Sequence, residues 1–432
     1  MKINYILVGI ILIALGSVLA FGYRIYSVKS SEEKSATAQA NSALDTKIES
    51  LQKDIAANPA DIVSYVQLSQ AYIQKVRETA DTSYYEKIDE LLTEAEKVSP
   101  DNPDVYAARA SIALGRHQFA EGKRYVEKSI AIDDKNYYYY GLLGDAEIEL
   151  GNYDEAVVAF QKMINIRPDF SSYSRISYIR ELYGDIPGAK SAMSDAINAG
   201  TSFPENLAWA HFEMGKLEMR TSLEDAKRSF TTALQVYADY APAYEGLGKV
   251  AYFENDIAQA ETYFKKSFEA LPVAQYAANL GDLYTSQGKQ TEAKQYYLLA
   301  HIAFKNAVAG GTNSDLEESL FLSERDMELP WALTLAEKAY NERVTIYTAD
   351  YLAWALYKNN QFEKAASYSS EALRLGENDP HILYHQGMVA FKNNDLDLAK
   401  RYLEKALVLN PHFSILGKKV AQDTLNKIHE KI

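Results

Sequence analysis

The 432-residue sequence contains no cysteine, which excludes disulfides, thiolate metal sites, a lipid-modified cysteine and cysteine nucleophiles together. It is also short of positive charge: 45 lysines and arginines stand against 59 aspartates and glutamates, a formal net charge of −14. Such a surface repels phosphate backbones, so nucleic acid is not expected as a partner. Catalytic strings are missing too. There is no glycine-rich phosphate loop, no serine nucleophile elbow and no His-Glu-x-x-His run. The spacing of His381 and His385 would put two imidazoles on one helical face. Ile382, Leu383 and Tyr384 between them add no carboxylate, and two ligands do not hold a metal. No catalytic residue, cofactor or metal is therefore expected, and a small-molecule ligand is disfavoured.

What is present begins with an uncharged stretch from Tyr5 to Tyr23, rich in Ile, Leu and Val. Nineteen such residues are just long enough for one helical membrane crossing. Residues 1–24 are read as a transmembrane anchor. A signal peptide cleaved near Ala20, after the small-residue run Val18-Leu19-Ala20, is the alternative. Lys2 lies on one flank and Arg24, Lys29 and Lys34 on the other, so charge does not set the orientation. Either reading exports the rest of the chain, giving a single-pass membrane protein with its folded part outside the cytoplasm, or a secreted one. Residues 25–43, rich in Ser, Ala, Lys and Glu, are expected to be a solvated linker.

Beyond the linker the sequence repeats. Tyr137 to Asp169 holds Leu143-Gly144, a turn at Gly151-Asn152, then Ala156, Phe160 and Pro168. A small residue at Gly144 lets a second helix approach closely, and Ala156 does the same from the facing side. Phe160, four residues after Ala156, fills the space between them, and Pro168 ends the second helix. The pattern returns at Leu247-Gly248, Ala260, Phe264 and Pro272, at Leu280-Gly281, Ala293 and Tyr297, and at Gly387, Ala399, Leu403 and Pro411. Weaker copies cover 62–101, 103–136, 170–203, 207–240 and 346–379. The copy at 312–345 is the most degenerate, marked by Ala332, Ala336 and Ala339. Gly310-Gly311 ahead of it reads as a joint or a helix stop.

This spacing of an aromatic, Leu-Gly, Ala, a second aromatic and Pro resembles the tetratricopeptide repeat, a helix–turn–helix unit. The resemblance covers nearly all of 44–432. It implies an all-α, right-handed superhelical solenoid of about ten repeats, with an incomplete helix at 45–57, repeats over about 62–411 and a capping helix at 413–432. One N-terminal hydrophobic helix would precede it. The stretches 174–189 and 351–366 are similar to exported or membrane-anchored bacterial repeat proteins of unassigned function.

The family resemblance also implies a concave face lined by the first helix of each repeat, used to bind protein or peptide partners. Its chaperone-binding subtype needs Lys and Asn where this chain has Val66 and Gln70, or Ala107 and Ser111, so that role is not expected. Two stretches of the concave face are candidates. Tyr347, Tyr351, Trp354, Tyr357, His381, Tyr384, His385, Met388 and Phe391 form an aromatic set of the type that anchors interfaces. Arg175, Tyr178, Trp209, Phe212, Lys216 and Arg220 mix cations with aromatics and would suit an acidic peptide or a sugar chain. The expected function is a membrane-anchored, non-enzymatic scaffold held by residues 5–23. The alternatives are a glycan- or cell-wall-binding module, or a non-catalytic subunit of an envelope or secretion complex.

Overall fold

The computed structural model describes residues 37–430. The chain divides into two compact units, Met1–Lys47 and Ile48–Ile432. Of the first, only the opening of a helix is described. The hydrophobic stretch from Tyr5 to Tyr23 lies outside the described residues, and among those described no helix is long and apolar enough to cross a membrane.

The described residues are helical throughout. Helix α1 (Thr37–Ala57) starts inside the stretch 25–43 expected as linker. Then come α2 (Ile62–Thr79), α3 (Tyr84–Val98), α4 (Pro103–Gly115), α5 (Phe119–Ile132), α6 (Tyr137–Glu149), α7 (Tyr153–Ile166) and α8 (Phe170–Leu182). The series continues with α9 (Ile186–Ala199), α10 (Pro204–Met219), α11 (Leu223–Val236), α12 (Ala241–Phe253), α13 (Ile257–Ala270), α14 (Ala274–Ser286), α15 (Gln290–Ala309) and α16 (Asp315–Glu324). It closes with α17 (Leu329–Glu342), α18 (Ile346–Lys358), α19 (Phe362–Ala366), α20 (Ser369–Ala372), α21 (Pro380–Lys392), α22 (Leu396–Leu409) and α23 (Gly417–His429). From α2 to α22 these pair as first and second helices of successive repeats, the second helix of one repeat being broken into α19 and α20. Helix α23 packs against α22 and α21 as the next first helix would.

Local chemistry starts and stops many of these helices. Asn102 accepts from the amides of Asp104 and Val105 ahead of α4, and Asp379 from His381 and Ile382 ahead of α21. Asp169 with Ser172, and Thr345 with Thr348, close full capping boxes. Such caps are worth about 1 kcal/mol each. Between the two helices of a repeat one residue turns left-handed: His117, Gly151, Gly184, Asn255, Gly288, Asn360 and Asn394 have φ between 60° and 81°. The next amide bonds back to the last turn of the first helix, Gln118 to the Ala113 carbonyl and Asn152 to that of Glu147, which stops that helix. Inside the pair, a Cβ on Gly144 would fall 2.2 Å from Phe160, and one on Gly281 2.2 Å from Tyr297. Ala156 and Phe160 are fully buried, as the spacing predicts. Ser177 and Ser319 stand in for this small residue in two degenerate repeats, each hydroxyl donating to a carbonyl of the facing helix, Ala189 or Ala332, at 2.8 Å.

Winding then brings distant repeats together. His117 Nδ1 lies 2.7 Å from the Asn313 carbonyl oxygen. Arg343 donates to the Glu149 carbonyl at 2.8 Å, and the Ile346 amide donates to the Tyr153 hydroxyl at 3.1 Å. His412 Nδ1 lies 3.0 Å from the Met219 carbonyl oxygen. These partners are separated by 193 to 196 residues, or roughly six repeats. Each contact seats a turn between first and second helix on a loop between repeats one winding later. The seam has its own apolar core, in which Ile148, Tyr153, Ile179 and Leu182 pack with Ile346 and Ile382. Gly151 lies against it so closely that a Cβ would sit 2.1 Å from the Val344 carbonyl oxygen.

Candidate binding face

First helices touch their neighbours in order, so the residues at matching positions form one continuous wall. On α6, α8 and α10 this wall is polar. Arg175 holds Asp145 in a two-pronged pair at 2.9 and 2.6 Å. Arg220 reaches Glu181 at 2.7 Å, and Lys216 reaches Glu213 at 2.8 Å. Burial opposes charge on Arg175, but Asp145 outweighs it and holds the guanidinium above its ordinary pKa. Burial likewise opposes charge on Lys216, and Glu213 together with Glu181 and Glu245 more than compensates. Farther along, Arg325 pairs with Asp282 at 2.7 Å; burial raises the Asp282 carboxyl despite that partner.

The middle set therefore differs from its expected form. Its three cations are present, but each already has a carboxylate, and an acidic ligand would have to break those pairs. Trp209 packs edge-on to Phe170, and Phe212 lies between Phe230 and Tyr240, so both are half-buried in the repeat stack. Tyr178 alone among the six is an exposed aromatic, at 40%. The partner carboxylates Asp145, Glu181 and Glu213 are not among the sequence candidates. A signal for them exists: Asp145 follows Gly144 directly, and Arg175 sits 30 residues later on the next first helix.

The C-terminal aromatic set is split. Trp354, Tyr384, His385 and Met388 are buried and do not line an open groove. Trp354 stacks on His385 at 4.2 Å and on Tyr357 at 4.7 Å. Tyr384 packs on Phe413, and the Thr424 hydroxyl of α23 reaches Met388 Sδ at 3.6 Å. The cause is the capping helix, which closes a core over these residues. His385 is engaged through one nitrogen: its Nδ1 lies 2.7 Å from the buried Asp350 carboxylate, which also accepts from Gln386 at 3.0 Å, while its buried Nε2 bonds to no described residue. His381 packs edge-on to Phe413. Among the described residues no group of three or more acidic or imidazole side chains could hold a metal ion.

Tyr347, Tyr351, Tyr357, His381 and Phe391 keep partial exposure. Tyr347 and Tyr351 lie 6.2 Å apart, and the winding brings Tyr347 close to Tyr178. Burial raises the phenols of Tyr178, Tyr347 and Tyr351, with nearby carboxylates adding to it: Glu149 and Glu181 for Tyr178, Asp379 for Tyr347, and Asp350 and Asp379 for Tyr351. None of the three hydroxyls bonds to a described residue. A cavity of about 260 Å³ is lined by Leu114, His117, Phe119, Asp145, Glu149, Glu317 and Arg343; of these, Glu149 is near enough to act on the Tyr178 phenol and Glu317 on that of Tyr351.

Three stretches of the sequence, 137–170, 246–307 and 380–413, match the family description "Tetratricopeptide repeat". These stretches are tetratricopeptide repeats. Proteins of this family serve as protein-interaction scaffolds. Superkiller protein 3 of Schizosaccharomyces pombe is similar at 26% identity over 158 residues, which is 34% of this chain and 11% of that protein. Mitochondrial import receptor subunit TOM70 of Rattus norvegicus is similar at 26% over 106 residues, 24% of this chain and 17% of the receptor. The matches thus span a small part of these relatives. Among solved structures, yeast Tom70 aligns over 90% of this chain and 93% of its own, at 17% identity and a TM-score of 0.38.

Proposed function

We propose that this tetratricopeptide repeat protein is a membrane-anchored scaffold that holds a protein or peptide partner outside the cytoplasm on the inward wall of its coil. The observation that carries the reading is the trio Tyr178, Tyr347 and Tyr351, contributed by two windings. Their partly exposed rings and unbonded hydroxyls offer contact area and hydrogen bonds that the fold itself does not use. The tether rests on the uncharged run from Tyr5 to Tyr23, long enough to span a bilayer. A binding rather than a catalytic role fits a wall whose charged groups are nearly all engaged in pairs.

The test is photo-crosslinking in intact cells from an unnatural residue at position 178 or 347, with position 158 on an outer helix face as control. A discrete partner crosslinked from the inner positions and not from 158 supports the scaffold. Equal labelling from all three positions defeats it. Protease added to intact cells reports the side of the membrane: digestion of the repeats places them outside, and full protection places them in the cytoplasm. If purified wall polysaccharide binds and Trp209→Ala abolishes that binding, the glycan-binding alternative replaces the scaffold.

A further inference from the structure

The chemistry of the cavity near Tyr178 and Tyr351 narrows the partner. Asp145 and Glu149 sit one helical turn apart on α6, so both face the same way. Glu317 on α16 and Arg343 after α17 come from the next winding, so the cavity is complete only where the coil meets itself. Its floor carries the Phe119 ring, stacked on His117. Asp145 is engaged by Arg175 and Glu149 by Arg343. Among the described residues Glu317 has only His117 Nδ1, at 3.9 Å, and that nitrogen already faces the Asn313 carbonyl. The cavity therefore holds a carboxylate with spare capacity and no unpaired cation among its lining residues, while its one aromatic ring, Phe119, is already covered by His117 and Arg343.

The chain's own contacts show what such a wall takes. Arg343 lies 4.3 Å above the Phe119 ring while pairing with Glu149. Arg374 covers Tyr153 at 4.9 Å as it donates to the carbonyls of Gly151 and Val344. Where windings meet, cations over aromatic rings are the recurring contact, an attraction worth about 0.5–2 kcal/mol depending on desolvation.

We infer that this cavity binds a lysine or arginine side chain of an extended basic peptide, whose backbone lies along Tyr178, Tyr347 and Tyr351. The inference rests on the scaffold reading and narrows its partner to a cationic segment. Glu317 would receive the charge, and the tyrosine hydroxyls would bond to the peptide backbone. An acidic segment meets only carboxylates and occupied cations here.

Fluorescence anisotropy on the full-length protein tests this with a labelled alternating lysine–glycine peptide. Its acetyl-lysine and glutamate–glycine counterparts serve as controls. Only the lysine peptide is expected to bind, more weakly as salt rises. Glu317→Gln removes a half-exposed charge and should weaken binding by about threefold. Glu317→Lys should weaken it by more than about tenfold through repulsion. The Gln variant is nearly isosteric and guards against a folding artefact in the Lys variant. Equal binding of the acetylated or acidic peptide, no binding of the lysine peptide, or indifference to Glu317→Lys overturns the inference. If the crosslinks from position 178 persist in any of those cases, the scaffold survives and only the basic partner is lost. If no crosslink forms either, both fail.

Discussion

In the middle of the array, the residue after each glycine of the helix contact is charged: Asp145 follows Gly144, Lys216 follows Gly215 and Asp282 follows Gly281. Near the C-terminus the same position carries Trp354 after Ala353 and Met388 after Gly387. The backbone is alike in both regions, but the wall is not. Charged residues pair along the wall and keep it polar, whereas the aromatic and thioether groups recruit a cover, the helix α23 with Phe413, and become core. One structural position thus serves as a surface or as an interior, according to whether its side chain gains more from water or from burial.

The largest effect separates these two regions. Trp354→Ala removes a buried indole and should cost about 3–5 kcal/mol. Trp209→Ala, at a half-buried indole in the polar region, should cost about half of that. Solenoids open repeat by repeat, so the measurement is hydrogen exchange: Trp354→Ala is expected to deprotect α18, α21 and α23 while α6 to α10 stay protected. Equal loss of protection in both regions would erase the distinction.

Two glycines sharpen the contrast between a repeat's own turn and the seam between windings. Gly151 and Gly288 are both left-handed, with φ of 81° and 75°. A Cβ at Gly288 meets nothing within 4 Å, whereas at Gly151 it would strike the Val344 carbonyl. Gly288→Ala should cost about 1–2 kcal/mol, the backbone term alone. Gly151→Ala should add a further 1–3 kcal/mol or so from the clash. It should also part the windings, raising the radius of gyration in small-angle scattering, while Gly288→Ala leaves it unchanged. An unchanged radius for both would show that the seam yields without opening.

The repeat itself was legible because its determinants lie within 33 or 34 residues: a small residue, the aromatic it admits, and a turn residue. The seam was not legible, since it joins residues nearly 200 apart and relies on backbone carbonyls at Gly151, Met219 and Asn313 that carry no side-chain signature. The fate of Trp354, Tyr384 and Met388 was hidden for another reason. An apolar side chain at a wall position reads the same whether a partner or the chain's own next helix covers it. The pairing of Arg175 with Asp145 was within reach, given the register of consecutive first helices. It emerges only when each cation is matched with the carboxylate one repeat away.

The seam also responds to acid through His412. Burial lowers its pKa below the ordinary 6.5, although its contact with the Met219 carbonyl works the other way. The closed coil therefore prefers the neutral ring. Its contribution is complete above pH 6.5 and declines as pH falls from there through the lowered folded value, because the open state binds the proton first. The loss is expected to stay below about 1 kcal/mol, since the group is only partly shielded from solvent. Scattering and melting between pH 7.5 and 5.5 should show the dependence in the native protein and lose it in His412→Gln. A dependence that survives the substitution would move it to another group.

The smallest effect on stability is expected at Tyr178, one of the residues proposed to meet the partner. Tyr178→Phe removes a hydroxyl that bonds to no described residue and stands on a 40% exposed ring. It should shift stability by less than about 0.5 kcal/mol, against the several kcal/mol expected at Trp354. If the melting temperature holds while the lysine–glycine peptide binds more weakly, the hydroxyl serves the ligand rather than the fold. The polar region then differs from the C-terminal one in purpose as well as in composition. If the melting temperature falls by as much as in Trp354→Ala, Tyr178 is core in all but appearance, and the wall has no surface left to spare.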